Sequence, residues 1–251
     1  MTRRWSLIAL TVALTFVIID INSTADSGKK ADSGKKKAPA AGADLRGVGW
    51  WPLHEKSGTV AADKAGRHDA TVQGRTKWVD GPRGGALELD GSTGYADAGD
   101  PVLDTGRDYS VAAWVRLDNP GFRTAVSLEG QHGSVFYLQY SGYDQRFSLS
   151  FVNVRALAAR VGPAVSGRWY HLVGTYRRSA GLLSLYVNGA LAGSAHADNP
   201  EPAAGHLLIG RAKTDDKPAD FWCGAISDVH AYQRVLTPTE VRALAAAEPG
   251  A

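Results

Sequence analysis

From Gly47 onward the apolar residues recur at every second position in short runs, and the runs are separated by Gly, Asp, Asn and Pro. In Ser110–Leu117, Val111, Ala113, Val115 and Leu117 fall on one face, with Ser110, Trp114 and Arg116 on the other. That period predicts a half-buried strand. Arg168–Tyr176 predicts another. Leu182–Val187 and Ala190–Gly193 flank Asn188-Gly189, the pair that best supplies two consecutive positive φ angles, so a type I′ hairpin is expected there. Further strands are predicted at 48–53, 86–89, 134–140, 146–152 and 207–209. Many short strands at close spacing imply an all-β sandwich of two packed antiparallel sheets.

The closing segment reads as a long strand, Phe221–Tyr232, followed by a short helix. Thr237, Pro238 and Glu240 stand at the N-cap, first helical position and reciprocal position of a capping box. Within the strand, Ile226 and Val229 are three apart while Val229 and Ala231 are two apart. One step of three in a period of two predicts a β-bulge near Ser227-Asp228.

The start of the chain has a different character. Arg3 and Arg4 precede an apolar run from Trp5 to Ile19, and Ser23 and Ala25 are small residues of the kind found at a cleavage site. Residues 1–25 are expected to be a secretory signal peptide with a helical apolar stretch, cut after Ala25, so the protein is expected outside the cell. The alternative is an uncleaved membrane anchor. Ala-Asp-Ser-Gly-Lys-Lys occurs twice, at 25–30 and 31–36, and residues 26–46 contain almost no large apolar residue, which predicts a disordered, lysine-rich linker. It reads as a solvated tether or as a contact to an anionic surface. Residues 47–251 remain as one domain.

Residues 1–46 hold eight Lys/Arg and four Asp, a balance of +4 that leaves −1 for residues 47–251 out of the total of +3. The folded part is therefore not basic, which argues against nucleic acid as its partner. A single cysteine, Cys223, excludes an internal disulfide. It reads as a small buried residue or as the site of an intermolecular disulfide.

The closing motif Gly224-x-Ile226-x-Asp228-Val229-x-x-Tyr232-x-Arg234-x-Leu236-Thr237-x-x-Glu240-Val241 resembles the end of the laminin-G-like, concanavalin A-like jelly-roll domains of secreted bacterial proteins. Trp51-Pro52-Leu53, Gly85–Ser92, Tyr109–Val115, Trp169-Tyr170-His171 and Leu185–Gly189 resemble earlier blocks of that family, in the same order. The resemblance spans roughly residues 48–246 and implies a jelly-roll sandwich with a short C-terminal helix. Ser227 stands where the family commonly has an acid.

The resemblance also implies chemistry. Related jelly rolls hold a structural Ca²⁺ with carboxylates near the start and end of the domain, which points to Asp63 and Asp228. Jelly-roll glucanases carry Glu-x-Asp-x-x-Glu on one strand. Here Glu88-Leu89-Asp90-Gly91-Ser92-Thr93 ends on Thr93, so the second carboxylate such hydrolysis requires is missing. The seven histidines show no metal-ligand spacing. A non-catalytic domain that binds a glycan or cell-wall polymer is therefore expected, with a protein-binding adhesion module as the alternative. Two polar aromatic turns are the candidate sites for a glycan groove. Tyr140, Tyr143, Asp144 and Arg146 come from the first and Trp222 from the second. Trp114 and Trp169 are expected to pack in the core.

Overall fold

The computed structural model describes residues 45, 47–197, 201–203 and 205–246. The expected signal peptide and nearly all of the expected linker lie outside the described residues. Strands β1 (Gly49–Trp51), β2 (Val60–Ala61), β3 (Ala70–Gln73), β4 (Thr76–Val79), β5 (Ala86–Asp90) and β6 (Tyr95–Asp97) come first. The middle holds β7 (Tyr109–Leu117), β8 (Arg123–Glu129), β9 (Ser134–Ser141), β10 (Arg146–Phe151), β11 (Val154–Leu157) and β12 (Trp169–Arg177). Then come β13 (Leu182–Val187), β14 (Ala190–His196), β15 (Leu207–Ile209), β16 (Ala212–Thr214), β17 (Lys217–Ala219), β18 (Cys223–Tyr232) and the helix α1 (Pro238–Ala246).

Two antiparallel sheets form a jelly-roll sandwich. The first, sheet 1, has the order β14-β13-β12-β7-β18-β5-β4, with β1 added to β18; the second, sheet 2, runs β11-β10-β9-β8-β15-β6-β3-β2. Strands β16 and β17 form a separate hairpin.

The core lies between the sheets. Val111, Ala113, Val115, Leu172, Tyr176 and Ile226 of sheet 1 meet Val126, Phe136, Leu138, Phe147 and Leu149 of sheet 2, all buried. Each buried Val, Leu, Ile or Phe side chain taken from water stabilises the fold by about 1.5–3 kcal/mol. Gly174 is what lets the sheets close here, since a Cβ at that position would sit 2.8 Å from Leu149 Cδ1.

The closing segment folds as its pattern predicts. The register of β18 on β7 shifts between Ser227 and His230, and Asp228 takes φ +50°. The bulge is where β18 changes neighbours: residues 223–226 pair with β5 and residues 229–231 with β1. Ser227 is buried and its hydroxyl donates to the Gly85 carbonyl at 2.6 Å. An ionised acid at this position would have no proton to give that carbonyl. Thr237 and Glu240 form the expected capping box, with bonds of 2.8 and 3.3 Å in the two directions. Asn188 and Gly189 have φ +50° and +82° in the β13–β14 turn.

Helix α1 packs on the outer face of sheet 1 through Val241 and Leu244, which join Ala112, Val173, Tyr232 and Leu236 in a second apolar cluster. The buried Arg83 guanidinium donates to the Leu244 carbonyl at 2.6 Å and so satisfies one of the free carbonyls at the end of the helix.

Candidate ligand-binding cleft

The outer face of sheet 2 is polar and mostly covered. In β9, Phe136, Leu138 and Tyr140 turn into the core, which leaves Tyr137, Gln139 and Ser141 outside. In β10, Phe147, Leu149 and Phe151 face inward and Ser148 and Ser150 outward. Thr124, Gln139, Ser148 and Ser150 face away from the core and are nevertheless buried, because loops rise around them. Gln139 Nε2 donates to Ser150 Oγ at 3.0 Å, and Ser150 Oγ lies 3.0 Å from Ser148 Oγ. Gln139 Oε1 and Thr124 Oγ1 are buried without a partner.

Around part of this floor opens a cleft of about 520 Å³. One wall is built by the β16–β17 hairpin and the residues after it, which contribute Thr214, Asp215 and Asp220; Asn153 and Arg155 line it from the β10–β11 side. Phe122, Tyr137, Phe151 and Val152 supply aromatic and apolar surface. The hairpin is held at several points. Asp215 and Asp216 take φ +48° and +62° at its tip, and Asp216 N donates to the His132 carbonyl at 2.9 Å. Asp216 Oδ2 lies 3.0 Å from His132 Nδ1. Tyr137 Oη donates to the Lys213 carbonyl at 3.2 Å, and Lys213 N donates to Ser134 Oγ at 3.0 Å. A floor of amide and hydroxyl groups beside exposed ring faces can hydrogen-bond and stack on a polyhydroxylated ring.

Burial pushes the Asp220 carboxyl above the ordinary carboxylate range, and the charge of Arg123 offsets this only in part. Burial also raises the Tyr137 phenol.

The residues expected to bind ligand divide sharply. Trp222 is 0% exposed and donates its indole N–H to the Arg116 carbonyl at 3.0 Å. Tyr140 is 2% exposed and meets Phe147 edge to face at 5.4 Å. Neither can present a ring to a ligand, and both are corrected to the core. Tyr143 is 85% exposed on the β9–β10 turn. Asp144 accepts from Ser141 Oγ at 2.7 Å and faces Arg155 Nε at 3.9 Å, while Arg146 Nη1 donates to the Val161 carbonyl at 2.6 Å. This turn adjoins one end of the cleft: a Cβ on Gly142 would meet the backbone of Gly121 and Phe122. Trp114 and Trp169 are also corrected. They lie part-exposed on the outer face of sheet 1, beneath Arg83 at 5.1 Å and Arg116 at 5.8 Å.

Asp63 and Asp228 are brought near each other, but with Trp50 between them. Asp63 Oδ1 accepts from the backbone N–H of Trp50 and Ala65, and Oδ2 from those of Arg67 and His68, at 2.8 to 3.1 Å. Burial works to raise its pKa, and these four bonds outweigh it, leaving the carboxyl below its ordinary value. Asp228 Oδ1 accepts the Trp50 indole N–H at 2.8 Å and lies 3.0 Å from His230 Nε2, while Oδ2 faces Arg83 Nε at 3.9 Å. Its carboxyl is also held low: burial raises it, but the bonds and charges of His230, Trp50 and Arg83 win. A hard cation needs oxygens with free lone pairs and no competing positive charge. This donor set does not fit one, and among the described residues no group of three or more His, Cys, Asp or Glu is placed to hold a metal ion.

Glu88 is similarly engaged, ion-paired to Arg116 Nη2 at 2.9 Å. Asp90 accepts from the backbone N–H groups of Ser92, Thr93 and Gly94 in the following turn.

The fold and the cleft together define a class, a two-sheet β-sandwich with a polar, aromatic-edged recess on one outer face. The family model described as the concanavalin A-like lectin/glucanases superfamily matches residues 90–242, and the chain belongs to that family. It is 28% identical over 175 residues to the rat sushi, von Willebrand factor type A, EGF and pentraxin domain-containing protein 1; the match covers 65% of this chain and 5% of that protein. It is 34% identical over 155 residues to human pentraxin-related protein PTX3, covering 56% of this chain and 39% of that one. The chain thus spans well under half the length of these curated relatives. Among solved structures, domain 4 of AbnA, a GH43 extracellular arabinanase from Geobacillus stearothermophilus in complex with arabinotriose, superposes with a TM-score of 0.64 at 21% identity. That likeness covers 79% of this chain and 97% of the arabinanase domain.

Proposed function

We propose that this protein is an exported, non-catalytic carbohydrate-binding module whose site is the cleft on the outer face of sheet 2. The observation that carries the reading is the covered polar floor. Gln139 is 4% exposed, and its unpartnered Oε1 belongs to a residue that lines the cleft. A buried acceptor left without a partner costs about 1–3 kcal/mol, and a small turn of the Gln139 amide toward the cleft would let a sugar hydroxyl supply the missing bond. Phe122, 41% exposed, and Tyr137 offer rings for stacking beside it. The lectin/glucanase family and the arabinotriose-bound state of the arabinanase domain are consistent with a glycan as the class of ligand.

The carboxylates favour binding over catalysis. Glu88 and Asp90, the best match to a glucanase pair, are tied into an ion pair and a turn on sheet 1. Asp63 and Asp228 act as pins that fix the loop of residues 62–69 and the bulge of β18, in place of metal ligands. The lysine-rich residues 26–46 tether the domain and contact anionic surface polymer.

Glycan-array binding of the full chain tests the reading, with Tyr137→Ala and Gln139→Ala in parallel. Binding that falls at least about tenfold in both variants supports the cleft. Binding unchanged in both would remove it, and release of reducing sugar abolished by Asp220→Asn would show an enzyme.

A further inference from the structure

The unpaired groups of the cleft are unbalanced in sign. Asp215, Asp220 and Glu201 all line it, and among the described residues none of the three carboxylates takes a hydrogen bond or an ion pair. The two basic side chains of the lining are engaged with other acids: Arg155 Nε faces Asp144 at 3.9 Å and His132 Nδ1 lies 3.0 Å from Asp216. The floor adds one more acceptor of its own, the buried and unpartnered Gln139 Oε1, with the amide Nε2 bonded to Ser150 Oγ. Asp220 has lost part of its hydration, and the nearby charge of Arg123, whose Nη1 is spent on the Gly91 and Phe221 carbonyls, makes this good only in part, so its carboxyl is raised.

We infer that the cleft selects sugars carrying a free, protonated amino group, such as the glucosamine units of a deacetylated polymer, over neutral, N-acetylated or acidic sugars. The inference rests on the glycan reading of the cleft. An ammonium brings three donors and a positive charge to a site that offers acceptors and negative charge. A hydroxyl brings a donor but no charge. An acetamide has one N–H and no charge, and a uronate or sialate adds a further carboxylate to a lining that already holds three.

The test is calorimetry on the full chain with a glucosamine oligosaccharide, the same oligosaccharide N-acetylated, a cello-oligosaccharide and an oligogalacturonate. The buffer keeps amines protonated and carboxylates ionised. The basic tether repels the first ligand, so a preference for it cannot come from residues 26–46. The glucosamine oligomer is expected to bind about tenfold tighter than its acetylated form, with the oligogalacturonate weakest. Asp220→Asn and, separately, Glu201→Gln are expected to shrink that ratio several-fold. Asn accepts the positive φ of Asp220, so the first variant keeps the backbone. Asp80→Asn, an exposed carboxylate beyond the end of β4, leaves the ratio unchanged. Equal or better binding of the acetylated, neutral or acidic oligomer overturns the inference while the glycan reading stands. Equal binding of an oligolysine also overturns it, by showing that charge alone is read. Binding of no glycan at all overturns both readings.

Discussion

The two outer faces of the sandwich begin from the same alternating pattern and end differently. On sheet 1 the outward positions carry large groups, Trp114, His171, Arg116, Trp169 and His230, that stack and pair with one another. Trp114 lies 5.2 Å from His171, and His230 stacks on both Trp50 and Tyr232. Helix α1 covers part of that face. On sheet 2 the outward positions carry small neutral polar groups, and the loops above them leave a cleft. On sheet 1 stacked rings close over the polar groups, and among the described residues Trp114 Nε1 and His171 Nδ1 stay buried without a hydrogen-bond partner there too. What sheet 2 has besides its buried Gln139 acceptor is an open cleft, lined by the carboxylates of Glu201, Asp215 and Asp220.

The largest effect expected on sheet 1 comes from its cover. Val241→Asp would place a carboxylate in the apolar seam between α1 and sheet 1, at a cost of about 3 kcal/mol or more. Thermal unfolding should show a large drop in Tm. Glycan binding by the protein that remains folded should be intact. Lost binding at full stability would tie the two faces together and break the contrast.

The pH dependence belongs to the same face. His171 is buried, and burial first, then the electrostatic effect of His230 and of Arg83, lower its pKa to about 3 against the upward pull of Asp228. The unfolded chain binds that proton near pH 6.5, so between roughly pH 6.5 and pH 3 the unfolded state holds more protons than the folded one. Stability contributed by neutral His171 is thus fully present above the unfolded value and is lost as pH falls through this window. The loss is on the order of a few kcal/mol, and His171→Phe should flatten that part of a stability-against-pH curve. An unchanged slope would mean that the imidazole is not held neutral.

Smaller effects probe the bulge. Ser227→Ala deletes the bond to the buried Gly85 carbonyl and should cost about 1–2 kcal/mol, with no change in ligand binding. Smallest of all, chelator should leave Tm unmoved, because the lone pairs of Asp63 are taken by four backbone N–H groups. A clear fall in Tm would restore a cation to the pair Asp63 and Asp228.

Much of sheet 1 could be read from the chain itself. The alternation at Val111–Leu117, the Asn188-Gly189 turn, the capping box at Thr237 and the bulge at Asp228 each follow from local rules, and each has its expected geometry. The cleft was less legible. β8 has no clean alternation, because its register shifts near Thr124–Val126. The outward serines of β10 pass for an ordinary solvent face. Trp222 closes a turn that carries Asp215, Asp216, Lys217 and Asp220 and still packs inside, since its direction is set by the approach to β18 and not by the polarity of that turn. A usable signal existed all the same. Thr124, Ser127, Gln139, Ser148 and Ser150 are neutral where an exposed strand would normally carry Lys or Glu, and small neutral polar residues on the outward positions of adjacent strands mark a face that is covered.

The central claim is that the sheet 2 cleft holds the ligand, and it is met most directly by one paired measurement. Glycan affinity and Tm are compared in the native chain and in Gln139→Ala. The account predicts that affinity falls at least about tenfold while Tm shifts by only a few degrees. Undiminished affinity in a folded Gln139→Ala protein would contradict it.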